Sequence, residues 1–384
     1  ISACKEVAAE MKVVCIDLNN STETLVNNLG DEKSKELFMW VAPGTCPAIP
    51  DGRKDDTHLK VKGARIIAGM AVDSIEKKIP KLAPYIRRYD YVVAQDGSGD
   101  FFTLQKAIDA VPAFSKRPTT IYIRNGVYKE KVTVPGNRNN IHIIGEDVDK
   151  VILTYDDYAS KKNAFGDNIG TSGSSSFFVY GNGFTAENVT FENSSGPVGQ
   201  AVALFVAGDK CVFKNCKMKG FQDTLYTYGE NSRQYYENCY IEGTTDFIFG
   251  KSTAWFENCT IHSKQNSYIT AASSAQENPF GYVFHNCRLA AADNVTKVYL
   301  GRPWRAYAAV TFIKCDLGRQ IRPEGWENWR NPENEKTARY SEYKNHGEGA
   351  STEKRVSWSR QLSKKEAKQY TRENVLGGNW WQNN

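Results

Sequence analysis

Three short stretches hold the residues whose types could do chemistry. Gly220-Phe-Gln-Asp223-Thr-Leu-Tyr226 and Gly243-Thr-Thr-Asp246-Phe-Ile-Phe249-Gly each set one Asp among apolar and aromatic neighbours, and Leu300-Gly-Arg302-Pro-Trp304 supplies a cation. Arg is always charged and binds a carboxylate through two parallel hydrogen bonds, so Arg302 would hold Asp246 ionised and oriented. Asp223, between Phe221 and Tyr226, would have its pKa raised by desolvation and by its like-charged neighbour, and would start protonated. Two carboxylates whose surroundings pull their proton affinities apart can serve as acid and nucleophile. A lone Asp in a turn more often caps backbone groups, so the weight rests on the joint pattern.

These stretches lie within a repeat. Five of the nine Cys close similar phrases: Phe213-Lys-Asn-Cys216, Tyr236-Glu-Asn-Cys239, Phe256-Glu-Asn-Cys259, Phe284-His-Asn-Cys287 and Phe312-Ile-Lys-Cys315, at intervals of 23, 20, 28 and 28 residues. An earlier copy without Cys runs from Phe184 to Asn193. Short β-rich runs such as Val202-Ala-Leu-Phe-Val206 and Tyr282-Val-Phe284 alternate with Gly, Asn and Asp, and no long helix intervenes. Coils of this kind stack as a parallel β-helix, with equivalent side chains aligned along the axis. The repeated Cys are then an interior ladder of small buried thiols. No Cys-x-x-Cys or companion His spacing suggests zinc. The fold class expected is all-β, a parallel β-helix, with Leu104–Val111 as a short helix capping its open end and a polar tail carrying a helix at Ser363–Tyr370 that packs along the coil.

Residues 1–88 follow another grammar. Helical periodicity at 4–11 leads into the apolar run Val13-Val-Cys-Ile16, a capped helix from Asn20, a Pro- and Gly-rich loop at 42–52, and a helix from about Lys60 to Lys78 with Val61, Ala64, Ile67, Ala71 and Ile75 on one face. This reads as a small α/β fragment, with a boundary near Pro84 to Asp90. The opening at Ile1 reads as a helix already under way, in a chain cut from something longer. With 384 residues, 40% of them hydrophobic, there is room for one long domain and a smaller one. A net charge of +5 is too mild to indicate nucleic acid and suits an acidic polymer. No run approaches a membrane span.

The larger unit resembles the pectin methylesterases, bacterial members in particular. The resemblance is carried by Val92-Val-Ala-Gln-Asp-Gly-Ser-Gly-Asp100, Gly199-Gln200-Ala-Val-Ala, the Asp223, Asp246 and Arg302 motifs and Val375-Leu-Gly-Gly; Tyr155-Asp-Asp-Tyr and Gly170-Thr-Ser-Gly-Ser-Ser give the bacterial flavour. It covers roughly three quarters of the chain, with its motifs in the family's order. It implies a right-handed parallel β-helix over residues 89–384 that hydrolyses galacturonate methyl esters of pectin, releasing methanol. For such chemistry, Asp246 is the nucleophile, Asp223 the acid and then base, and Gln200 and Gln222 the side-chain donors to the oxyanion. No metal or cofactor is called for. Tyr226, Phe249 and Trp304 are implied to line the sugar cleft. Trp329 and Trp326 are further cleft candidates that also suit a coil-end cover, and Thr171 is either a substrate contact or a turn residue. His142, His262, His285 and His346 read as structural. The partner expected is methylesterified homogalacturonan, with no nucleic acid and no membrane, bound by a secreted or periplasmic monomer. A lyase or polygalacturonase on the same coil would need calcium-binding Asp clusters or acids flanking a glycosidic bond.

The small unit resembles the C-terminal part of GDSL-type hydrolases, rhamnogalacturonan acetylesterases in particular, through Asp55-Asp-Thr-His58-Leu and the helix through Lys62-Gly-Ala-Arg. There the Asp orients the His that activates a Ser. No Gly-Asp-Ser block accompanies it here, so residues 1–88 are expected to be a catalytically dead fragment.

Overall fold

The computed structural model describes residues 2–86, 88–229 and 231–382. The chain divides into two compact units, residues 1–88 and 89–384.

The first unit is helical: α1 spans Ser2–Glu10, α2 Leu18–Ser34 and α3 Val61–Lys78. Asp17 caps α2 by accepting from the Asn20 amide at 3.0 Å, and Gly30 kinks it with φ 72°. The α/β expectation needs correction, because the described residues of this unit form no strand, only isolated antiparallel bridges, Phe38 to Leu59 and Val41 to Arg53. The Val13–Ile16 run has no sheet to join, and Val13 and Val14 stay exposed. On α3 the apolar face begins at Ile67, since Val61 and Ala64 are exposed. Leu37 is the one large hydrophobic side chain of the unit counted as buried among the described residues.

The second unit is a right-handed parallel β-helix. Three sheets of eleven, eight and seven strands run its length, every pairing between named strands is parallel, and each sheet takes one strand per coil. The repeated phrases explain the corner between the first two sheets. Asn188, Asn215, Asn238, Asn258 and Asn286 all have left-handed backbones, with φ between 51° and 54°, which Asn tolerates better than most residues. The next residue turns inward, Val189 after Asn188 and Cys after the other four, with Cys315 following Lys314 of φ 53°; Cys216, Cys239, Cys259, Cys287 and Cys315 are all buried and free of disulfides. Beside them Phe213, Tyr236, Phe256, Phe284 and Phe312 stack at 4.9, 4.7, 4.4 and 4.5 Å. Interiors of stacked aromatics and thiols supply the apolar burial that a coil cannot achieve alone.

One end is closed by a helix and the tail packs along the coil, as expected. Helix α4, Leu104–Ala110, buries Leu104, Ala107 and Ile108 over the first coils. The tail helix is shorter than expected, a single turn at Lys364–Ala367 with a Ser363/Glu366 capping box, followed by a second helix at Arg372–Leu376. Val375, Leu376 and Trp381 pack on the outer face of the long sheet against Val212, Tyr235, Trp255, Val283 and Ile313.

Candidate active site

The seven-stranded sheet carries the site on its outward face. Parallel register aligns Phe178, Phe205, Tyr226, Phe249 and Ala271 in one column, and Arg302 continues it, following Gly301, which lies opposite Thr270. Tyr226 and Phe249 stack at 4.1 Å. The aromatic column breaks at Ala271, whose small side chain leaves an opening before Arg302.

Asp223 and Asp246 sit three residues ahead of Tyr226 and Phe249, at equivalent positions on adjacent coils, which lie about 4.8 Å apart. Both have left-handed backbones, φ 66° and 50°, which turn their side chains out just before each strand starts. Their amides bond to the next coil: Asp223 N–H donates to Thr245 O at 3.1 Å and Asp246 N–H to Tyr268 O at 2.9 Å. Gly243 permits this approach, since a Cβ there would collide with Phe247 and the Phe221 carbonyl.

Arg302 stands two coils beyond Asp246, roughly 10 Å of backbone separation that a long side chain spans. Its Nε and Nη2 donate to the two Asp246 oxygens at 3.0 and 2.7 Å, a bidentate fork. Asp246 and Asp223 are 6% and 7% exposed. Burial pushes the Asp246 carboxyl above the ordinary Asp range; Arg302 draws it back in part, and Glu327 opposes that pull. The Asp223 carboxyl is pushed up much further, by burial first and then by the charge of Asp246. It accepts no hydrogen bond from any described residue. The clamp therefore does not return Asp246 to an ordinary carboxylate as the sequence suggested, but it separates the pair in the expected order.

Gln200 and Gln222 lie side by side on adjacent coils through a parallel bridge, and neither side-chain amide has a partner among the described residues. The segment carrying Thr171 is moored nearby. Lys131 Nζ donates to Asp157 Oδ2 and to Gly173 O, both at 2.6 Å, and Asn193 Nδ2 donates to Asp157 O at 2.8 Å.

Ten of the eleven site candidates read from the sequence line one cleft of about 500 Å³: Asp223, Asp246, Arg302, Gln200, Gln222, Tyr226, Phe249, Trp304, Thr171 and Trp329. Trp326 does not; it is buried, stacked on Tyr340 at 4.2 Å, and serves as interior cover. Sequence reasoning missed Ile169, Ser172 and Ala271 in the lining, and Tyr268 beneath Arg302. Register counting from Phe249 would have found Ala271, and Ser172 sits inside the Gly170-Thr-Ser block beside Thr171; Ile169 and Tyr268 carry no motif. A larger groove of about 710 Å³, lined by Asp209, Arg233 and Glu277 among others, lies away from these groups. In the small unit His58 Nδ1 lies 2.8 Å from Asp55 Oδ2, with the ring largely exposed.

Comparison with known proteins places the fold in a family. The pectinesterase family model matches residues 90–379. Pectinesterase 31 of Arabidopsis thaliana is 43% identical over 284 residues, covering 72% of this chain and 88% of its own length. Several other plant relatives are longer, and the chain spans about half of them. Among solved structures, the pectin methylesterase from carrot superposes with a TM-score of 0.71 at 34% identity, covering 78% of this chain and 96% of its own. A pectin methylesterase in complex with a hexasaccharide gives a TM-score of 0.68 at 32% identity, covering 76% and 98%. The curated relatives named here are plant proteins, whereas two short blocks of the sequence pointed towards bacterial ones.

Proposed function

The chain belongs to the pectinesterase family, and from that premise we propose that the cleft removes methyl groups from galacturonate esters of pectin by attack of one aspartate with proton transfer by the other. Asp246 attacks the ester carbonyl carbon. Each of its oxygens gives one lone pair to Arg302 and keeps another, so the fork orients the nucleophile without consuming it. The carbonyl oxygen becomes an oxyanion that accepts N–H bonds from Gln200 and Gln222, whose unpartnered amides suit that duty. Collapse breaks the ester C–O bond; the methoxy oxygen takes the proton of Asp223 and leaves as methanol. Asp223, now ionised, removes a proton from water as that water attacks the acyl-enzyme, freeing the substrate carboxylate and restoring Asp246. Tyr226, Phe249 and Trp304 offer apolar faces to the sugar rings, and Thr171 a hydroxyl at the rim.

The observation that carries this reading is the two-point Arg302–Asp246 clamp with the more strongly proton-holding Asp223 on the neighbouring coil. Pectin is a cell-wall polymer, so the work lies outside the cell, in a secreted or periplasmic setting; no described helix is long and apolar enough to cross a membrane. The test is incubation with highly methylated pectin, following methanol and polymer length together. Methanol with unchanged length is the expected result, and shortening without methanol would refute it.

A further inference from the structure

Arg302 is held by more than the carboxylate it serves. Its Cζ lies 3.9 Å from the centre of the Tyr268 ring and 3.8 Å from that of Trp329. Two rings this close to one planar carbon cannot share a side, so they cover both faces of the guanidinium and leave its edge to Asp246.

Neither ring arrives there by default. Trp329 and Arg330 are successive left-handed residues, with φ 61° and 55°, a costly conformation for bulky side chains that persists only when the surroundings enforce it. Glu327 does so: its Oε2 accepts from the Trp329 amide at 2.9 Å and its Oε1 from the Arg330 amide at 3.1 Å. The turn is tied to the strand Tyr299–Gly301 that leads into Arg302, since Gly301 pairs with Trp326 and the Glu327 amide donates to Gly301 O at 3.1 Å. Tyr268 is fixed from below by stacking on Tyr299 at 5.3 Å.

We propose that Tyr268 and Trp329 are positioning residues that grip the Arg302 guanidinium between two ring faces, keeping its fork aligned on Asp246, and that Glu327 is the brace that sets the Trp329 turn. This rests on the ester-hydrolase reading and gives Trp329 a duty other than the sugar contact expected of it. Without the rings the long side chain regains rotamer freedom, and the nucleophile loses the orientation the reaction needs. Sugar binding through Tyr226, Phe249 and Trp304 is untouched.

The experiment compares the unmutated chain with Trp329→Leu, Trp329→Phe and Tyr268→Leu, measuring kcat on methylated pectin and, by calorimetry, Kd for a de-esterified hexagalacturonate. Trp329→Leu is expected to lower kcat about tenfold, on the scale of a desolvated cation–π contact, with Kd changed by less than about twofold. Trp329→Phe should restore most of the rate. If the Trp329 variant melts at assay temperature, Tyr268→Leu carries the same test from the opposite face. A weakened Kd with normal kcat would show the ring touching sugar and overturn the proposal, as would loss of both together or of neither. No methanol from the unmutated chain would sink the hydrolase reading itself, whereas turnover there with normal variant kcat sinks only this inference.

Discussion

Asp223 and Asp246 are chemically identical side chains on adjacent coils, and their difference comes from the Arg302 fork on the second and from burial and like charge at the first. Asp246→Ala should abolish methanol release, and retained turnover would remove it as nucleophile. Arg302→Lys should cost heavily, because a point charge cannot reproduce a planar two-point donor; a near-normal rate would show the fork to be dispensable. Gln222→Ala should lower kcat by on the order of a hundredfold, as for loss of one oxyanion donor. The reaction needs Asp246 ionised and Asp223 protonated. Burial raises the first, so the rate should fall on acidification at a pH above the ordinary Asp range; burial and like charge raise the second much further, so the rate should fall again as pH rises through its pKa. A single acid limb at ordinary Asp values would contradict this ordering. At this scale the sequence was highly legible, because Asp, Arg and Gln beside Gly and aromatic residues form distinctive phrases. Glu327 and Tyr268 were illegible, since their work depends on a turn and a register that no phrase announces.

Repetition made the coils legible as elements, with an Asn-Cys pair marking the corner of four of them, Asn215-Cys216, Asn238-Cys239, Asn258-Cys259 and Asn286-Cys287. The physical content of the Asn is its left-handed backbone, which leads to a stability prediction. Asn258→Val should lower the melting temperature, costing about 1–2 kcal/mol for a β-branched residue at positive φ, while Asn258→Gly should be close to neutral; equal effects would mean that the Asn side chain and not the backbone matters. The break in the aromatic column gives another. Ala271→Phe would extend the ladder from Phe249 into the opening, leaving the melting temperature near normal and the methanol assay silent. Full activity in that variant would place the substrate elsewhere. The helix expected over about 60–78 forms as α3, with only the first turn of its apolar face left exposed; what the sequence misjudged at this level was the Val13–Ile16 run, which has no sheet among the described residues of its unit to bury it.

Across the whole molecule, every residue of the cleft lies between positions 169 and 329, within the unit that begins at residue 89. A chain of residues 89–384 should therefore fold and release methanol with unchanged kcat, and a large loss would assign residues 1–88 a role in catalysis. Those residues bury little apolar surface of their own. We propose that they have no esterase activity of their own: the Asp55–His58 pair has the spacing of an oriented base, but the His58 ring is largely exposed and hydrogen-bonds to no Ser among the described residues, so turnover of a chromogenic acetyl ester should not change in His58→Ala. The solenoid was readable from intervals between like phrases, whereas the core poverty of the small unit was not, because exposure depends on what a helix is packed against.

Drawing the reactive groups from coils at fixed offsets constrains how such a chain can change over generations. Duplicating a coil between Asp246 and Arg302 would lift the guanidinium by one more strand spacing and part it from its carboxylate. Copying one beyond the final rungs would disturb neither. Lineages of this architecture are therefore free to grow or shrink at their extremities while the interval around the cleft keeps its count.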